Sequence, residues 1–592
     1  MPKKKVSPNS GSKEILSMKE ALDNIKIDST KVVIKKTIDL RDIIWNYPLF
    51  ISKAFNKLIP LSYIILFGAI GILLSMTLQS EAVENILKDS SNKNTFTEGC
   101  VGSSTTLNPL FVSVNDIDQG IKDLIFEKLI DLDAQGNPVA NIAENWNVSK
   151  DGLVYEFKIK KNIYWQDGVP LTVDDVIFTF KTAISLYDDL SYDSVGASLS
   201  GTEIEKVNEN TIRFKLENDI STFFQAASIY IVPKHRLENI ALEDMPFDIF
   251  AKYPIGSGRY ALTRNDDNYI ALKDSEFDSD DQSIKNFIFR IYPDYKTLEG
   301  AFRNGVLDAF GYWDGDLVKF VDEYSTFKKY TESLDLRNKI IFLNNRSGVF
   351  ENKSMRVGLN YLIDVKELLK QSNTDGSVII SPIPESSWAF SSDVTDYSFN
   401  KEKADSAFKE NGYTFNDKSG FYESDNGEIL SFTISYLDNN FNNRLINKLA
   451  DLLYKQGVVL KKEALTYSQI SQEIIATRNF EMLLYEIETT IDPDQYNLWH
   501  SLKSNYPDLN LSGYNYERVD ILLEEARDAS DLKTRKAKYA LFQKYLTNDA
   551  PVVFLYHPVF TYVVRDGLEG VNIEDIQYSY QRFNNVSNWY WK

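Results

Sequence analysis

Between Tyr485 and His500 the chain reads YEIETTIDPDQYNLWH. Four carboxylates (Glu486, Glu488, Asp492, Asp494), three rings (Tyr485, Tyr496, Trp499) and an imidazole stand together in this stretch. Paired carboxylates carry acid–base catalysis when their surroundings push their pKa values apart. Carboxylates with a histidine can hold a metal, and carboxylates beside aromatic faces can hold a cationic or zwitterionic solute. No nucleophile motif accompanies the stretch: the chain has no G-x-S-x-G, no H-E-x-x-H and no G-x-x-x-x-G-K-[ST]. The histidines, His235, His500 and His557, stand far apart, so no metal site is expected. Asp492-Pro493-Asp494 also has a structural reading. It suits a turn and an N-cap for a helix through Tyr496–Leu502, with His500 inside that helix. A strand over Tyr485–Thr489 would send Glu486 and Glu488 to one face and Tyr485 to the other. A second acidic run (Asp274, Asp278, Asp280, Asp281) lacks the glycine of an EF-hand and reads as a solvated loop.

These residues need a scaffold, and 592 residues exceed what one hydrophobic core organises, so several lobes are expected. Hydrophobic content of 43% and aromatic content of 13% describe a globular chain. A net charge of -20 argues against nucleic acid as the main partner. Cys100 is the single cysteine, which excludes an intramolecular disulfide and a multi-thiolate zinc site. It follows Glu-Gly rather than an apolar run, so it reads as a structural cysteine and not a lipidation site. No cofactor is expected.

Leu58–Leu78, LIPLSYIILFGAIGILLSMTL, contains no charged residue. At ~1.5 Å per residue it would form a helix long enough to cross a bilayer. Residues 1–57 carry twelve Lys/Arg against six Asp/Glu, whereas the rest of the chain carries 53 against 79. The positive-inside bias places residues 1–57 in the cytoplasm, residues 58–78 in the membrane, a linker over 79–94, and the remainder outside.

Beyond residue 95 strands and helices interleave, which predicts α/β lobes. TFTEGCVGS reads as a strand and turn. Apolar residues at helical spacing from Asp123 onward predict a helix ending at a Gly-Asn-Pro turn. LVYEFKIKKNIYW alternates like a half-buried strand. Thr172 with Asp175 matches a capping box. GTEIEKVNENTIRFKLE reads as two strands joined at Asn208–Asn210.

Several segments are more specific. YEFKIKKNIYWQDGVPLTVDDVIFTF, IVPKHRLENI, YPIGSGRYAL, LEGAFRNGVLDAF, IIFLNNRSGVFENKSMRVGLNYLIDVKELL, FNKEKADSAFKENGY and the run from Ser512 to Pro558 follow one another in the chain. In that order they resemble the extracellular solute-binding proteins of ABC importers, the oligopeptide/dipeptide/nickel family, over roughly residues 95–590. Ser257 and Arg259 stand where the family's Gly-Thr-Gly-Pro-Tyr turn has Thr and Pro.

The resemblance implies a bilobal periplasmic-binding-protein-like α/β fold with an inserted subdomain, closing on ligand by hinge motion. It places lobe I at 95–130, 255–340 and 555–592, the insert at 131–254 and lobe II at 341–554. In peptide-binding members an Asp three residues before the acidic-Pro pair holds the peptide amino group. Here that position is Thr489, which carries no charge, and Glu486 or Glu488 would have to substitute. Matching positions add Asn108, Trp313, Asn344 and Trp388 as ligand contacts, with Tyr187 and Tyr192 behind them. The implied function is capture of a peptide or related solute by a monomeric external region and its delivery to an ABC permease. A surface sensor signalling through the tail and a carboxylate hydrolase are the competing readings.

Overall fold

The computed structural model describes residues 94–592 apart from 113–114, 191–194, 218–222, 276–282, 314–325, 347 and 530. The apolar run Leu58–Leu78 and Tyr192 lie outside the described residues. Among the described residues no helix is long and apolar enough to cross a membrane.

The centre of the molecule is a sheet of twelve strands. Strand β1 (Thr95–Val101) is buried along nearly its whole length, between parallel neighbours Asn286–Tyr292 and Ala309–Tyr312. That environment explains why TFTEGCV does not alternate cleanly. Cys100 lies there, buried and free. The loop after β1 leads into helix α1 (Asp116–Ile125), N-capped by Asn115, whose side chain accepts from Ile117 N–H. Buried Asp118 ties that loop down by accepting from Ser104 and from the N–H groups of Thr105 and Thr106.

Two further strands matter for the site. β2 (Arg337–Leu343) runs antiparallel to β3 (Met482–Glu488). β4 (Val552–Arg565) joins the two halves of the sheet. Its first part pairs with β2, and its second part pairs with Ala309–Tyr312 and Phe327–Ser333. Pro558 falls between those parts. A proline cannot donate within a ladder, so it is tolerated where the pairing changes partners; its carbonyl accepts from Leu334 N–H instead.

Separate cores accompany this sheet. One gathers β1, α1, Val232–Phe250, Tyr260–Leu334 and the C-terminal residues to Trp589. A second, from Leu129 to Ile231, lies under the four-stranded sheet of Ala143–Val148, Val154–Ile159, Thr211–Lys215 and Glu203–Asn208. Two more flank β2 and β3 on opposite faces.

The capping box at Thr172 is present, with Asp175 accepting from Thr172 N–H at 2.8 Å. Glu203–Asn208 and Thr211–Lys215 pair as the sequence suggested. The helix expected from Asp123 onward is instead cut at Ile125, and Ile130–Leu132 pairs with Pro138–Ala140 in a hairpin. Asp133 decides this locally: its carboxylate accepts from the N–H groups of Gln135 and Asn137, at 3.0 and 2.8 Å. Gly136 supplies the left-handed residue of the turn, φ 81°. The apolar spacing fits either element, and burial against Ile229 and Tyr155 selects the strand.

Candidate functional site

Strand parity builds the site. In the β2–β3 ladder Arg337 stands opposite Glu488, and Lys339 opposite Glu486. All four side chains share one face. Farther along, that face is apolar: Ile341, Leu343, Met482 and Leu484 are buried in a core. It therefore changes from hydrophobic to charged where the ladder nears the junction of the two halves. The opposite face carries Ile340, Tyr485 and Ile487 into another core.

Arg337 is the hub. Its Nε donates to Glu486 at 2.5 Å, and its guanidinium lies 3.5 Å from Asp116 and 3.9 Å from Glu488. The same guanidinium sits over the Trp313 ring, 4.1 Å from its centroid. Asp116 opens α1 and Trp313 follows Ala309–Tyr312, so both come from the half opposite to β3. The His557 ring donates from Nδ1 to the Arg337 carbonyl at 3.0 Å and fixes the backbone there. Lys339 adds a second cation, 3.5 Å from Glu486. Three carboxyl groups thus meet two cations, so one carboxyl has no cation of its own.

The carboxylates differ. Burial alone would push Glu486 up, but Lys339 and Arg337 together hold it at about 2. Glu488 is pushed up to about 7, first by burial, then by Asp116 and Glu486, against the pull of Arg337. Its side chain keeps 44% of its surface open to water. Glu488 is the acid of this group that meets a cation only at long range. Acid–base enzymes use a similar split of two carboxyls, but Glu486 is already committed to two ion pairs.

Trp313, Glu486 and Glu488 come together here. The remaining sequence candidates are placed otherwise. Tyr485 turns to the opposite face. Thr489 is buried, and both its N–H (2.8 Å) and its hydroxyl (3.1 Å) donate to the Leu336 carbonyl. Asn344 follows β2, seven residues from Arg337 and, at ~3.3 Å per residue, roughly 23 Å away. Its amide donates to the carbonyls of Arg478 and Phe480. Buried Asn108 turns the loop before α1 by accepting from Leu110 N–H. Trp388 packs edge-on against Tyr539, 5.2 Å from the Arg535 guanidinium. Tyr187 lies exposed near the end of the Val173–Asp188 helix.

The other acids of the opening stretch are structural. Asp492 is held by Arg535 at 3.0 Å. Asp494 pairs with Arg527 and accepts from Tyr496 N–H at 3.1 Å. The helix it precedes is shorter than expected, Tyr496–Trp499. His500 lies just past its end, buried, accepting at Nδ1 from Leu502 N–H, which leaves Nε2–H to donate to Glu524 at 3.2 Å. Asp274, from the second acidic run, pairs with Arg259 and Lys285. No metal-holding group of three acids, histidines or cysteines occurs among the described residues.

Sequence reasoning missed Asp116, Arg337, Lys339, Tyr578 and Tyr580. The usable signal was parity: in RNKIIFL and MLLYEIE, alternate positions read Arg-Lys-Ile-Leu and Met-Leu-Glu-Glu, charged at one end only. Tyr578 and Tyr580 stack at 5.2 Å with a 9° angle between rings, and the Tyr578 hydroxyl donates to the Thr489 carbonyl at 3.3 Å. Thr489→Val keeps the shape and removes one hydrogen bond. The Leu336 carbonyl remains served by Thr489 N–H, so stability should fall by only about 1 kcal/mol in urea unfolding.

A charged face stands at the junction of the two halves of a mixed α/β frame, and comparison with known proteins supplies the family. The chain belongs to the bacterial extracellular solute-binding proteins, family 5, whose middle-region profile matches residues 137–508. It is 27% identical over 490 residues to the oligopeptide-binding protein AppA of Bacillus subtilis, covering 80% of this chain and 88% of that protein. The structure of that AppA in complex with a nonapeptide superposes with a TM-score of 0.69 at 25% identity, over 84% of this chain and 99% of the other. NikZ from Campylobacter jejuni, in complex with Ni(L-His), superposes with a TM-score of 0.71 at 24% identity, over 84% of this chain and 99% of the other. The periplasmic-binding-protein-like fold is therefore shared.

Proposed function

We propose that this protein captures peptides in the cleft walled by Asp116, Trp313, Arg337, Glu486 and Glu488 and delivers them to an ABC permease. The observation that carries the reading is the excess carboxylate at the junction. Glu488 is open to solvent over 44% of its side chain and its nearest cation is at 3.9 Å, so a ligand ammonium can complete it. Glu488 thereby substitutes for the charge that Thr489 lacks. The binding of a nonapeptide by the relative AppA supports the peptide class. Trp313 supplies an aromatic wall, with Trp388, Asn108, Asn344 and Tyr485 more remote.

In this reading residues 95–130, 255–340 and 555–592 form lobe I, 131–254 the insert and 341–554 lobe II. Ligand binding closes them about Ser333–Arg337, Thr489 and Pro558. Leu58–Leu78 anchors the protein in the membrane with its basic residues 1–57 inside. Capture and release make no covalent change in the solute, so the reading is of a receptor and not an enzyme.

The test is thermal stability of the purified full-length protein in detergent against a library of short peptides. A binder raises Tm by mass action, by an increment that grows with its concentration. A library that leaves Tm unmoved throughout overturns the peptide assignment. Mass spectrometry of solute that co-purifies identifies the alternative.

A further inference from the structure

The insert is welded to lobe I. Gln166, in its WQDG turn, donates its amide to the carbonyls of Gly258 and Tyr260 at 3.0 and 2.8 Å and accepts from Gly256 N–H at 2.9 Å. A Cβ on Gly256 would stand 1.9 Å from the Ile125 carbonyl oxygen, so backbone meets backbone there. The segment Thr490–Asp494, just past β3, is held as firmly by lobe II. Arg535 fixes the Asp492 carboxylate at 3.0 Å, and Arg527 donates to Asp494 at 2.8 Å. Each body is therefore stiff up to the place where the two meet.

They meet at the turn of the Ile130–Leu132/Pro138–Ala140 hairpin. Gly136 lies so near Ile491 that a Cβ on the glycine would stand 2.7 Å from Ile491 Cγ2. Beside it the Gln225 amide oxygen accepts from Asp492 N–H at 3.2 Å. The contact is loose, because a cavity of about 560 Å³, lined by both Gln225 and Ile491, stays open next to it. Permanent interfaces pack as densely as protein interiors. A hydrogen bond and a methyl group against backbone, with space left over, form a contact that can part. Ile491 and Asp492 follow closely on Thr489, so their lever arm about the hinge is short. Such a grip biases opening without locking it.

We propose that the insert is a clasp: its Gly136 turn and Gln225 grip Ile491 and the Asp492 N–H of lobe II when the lobes are closed, and this grip sets the balance between closed and open protein. The inference rests on the lobe assignment above and not on the chemistry of the solute. It also gives Asp492 a part, since Arg535 anchors its side chain while its N–H serves Gln225.

The test needs no solute. Val148 in the insert and Tyr454 in lobe II are exposed, and Cys100 is buried. Spin labels on Val148→Cys and Tyr454→Cys report the separation of the two bodies by pulsed EPR, in the full-length protein in detergent. The expected result is a shorter and a longer distance, with the longer population enlarged at least about threefold by Gln225→Ala/Ile491→Ala, as loss of a modest hydrogen bond would do. A smaller change, or one unchanged distance in both proteins, overturns the clasp. Should the alanine pair not fold, a cross-link decides. In Gly136→Cys/Ile491→Cys the Cβ atoms would stand 3.9 Å apart, within disulfide reach. The bridge should form on oxidation, at a rate that Gln225→Ala lowers at least about threefold. No bridge, or a rate untouched by Gln225→Ala, also overturns it. Because no peptide is added, failure here leaves the peptide reading standing, and a peptide library that leaves Tm unmoved leaves the clasp standing.

Discussion

Replacing Arg337 with methionine is expected to destabilise the protein by about 2 kcal/mol at pH 7, measured by urea unfolding. The substitution keeps the stem over Trp313 and removes the guanidinium that joins Asp116, Glu486 and Glu488. Lys339 alone then faces three carboxylates. Breaking a buried pair by deleting one partner typically costs 3–5 kcal/mol. Arg337 keeps 23% of its side chain accessible, and Lys339 still serves Glu486, so the lower figure applies. The pH dependence is distinctive. Glu486 is held at about 2 instead of 4.5, so its contribution is complete above pH 4.5 and is lost as pH falls through about 2. The gap between wild type and Arg337→Met should therefore be widest above pH 5 and narrow toward pH 2. Equal stabilities at pH 7, or a gap independent of pH, would show that Arg337 is not the hub of the charged face.

Glu488→Gln should have opposite effects on the empty and the liganded protein. The Glu488 carboxyl is raised to about 7, so it contributes stability below pH 4.5, and that contribution is lost as pH rises through 7. At pH 8 the neutral glutamine should stabilise the unliganded protein by about 1 kcal/mol, a figure discounted for the group's access to solvent. Binding of an ammonium-bearing peptide favours the ionised carboxylate and expels its proton. Wild-type affinity should therefore rise up to about tenfold per pH unit between pH 5 and 7 and then level off. Glu488→Gln should bind 10- to 100-fold more weakly at pH 8 and show no such rise. Calorimetry at pH 6 in two buffers of different ionisation enthalpy reads the proton directly. Equal proton release by wild type and variant would remove Glu488 from the site.

Much of this protein was legible in its residues. Ordered segments such as YWQDGVPLTVDD and IVPKHRLENI pointed to the family because each combines local demands: a turn, a cap and a strand of fixed parity. The Thr172–Asp175 box and the pairing of Glu203–Asn208 with Thr211–Lys215 form among near neighbours, so sequence spacing suffices for them. Parity also placed Glu486 and Glu488 together and turned Tyr485 away, because alternation along a strand is a property of the backbone. The same local logic failed from Asp123 to Pro138, where apolar spacing suited a helix and the Asp133 turn with burial made a hairpin.

What the sequence alone determined, then, was the order of elements, the family they belong to and the face on which the acids stand. It could not say which acid is free. That depends on Arg337, which lies 149 residues from Glu486 and reaches it only because β2 and β3 pair in one register. A slip of one residue would turn Arg337 and Lys339 to the other face. The tertiary structure also brought Asp116 and Trp313 from the other half to the same guanidinium. Charge pairing and burial are sums over all neighbours in space, so the roles of Glu486 and Glu488, identical in residue type and two positions apart, were decided by the fold.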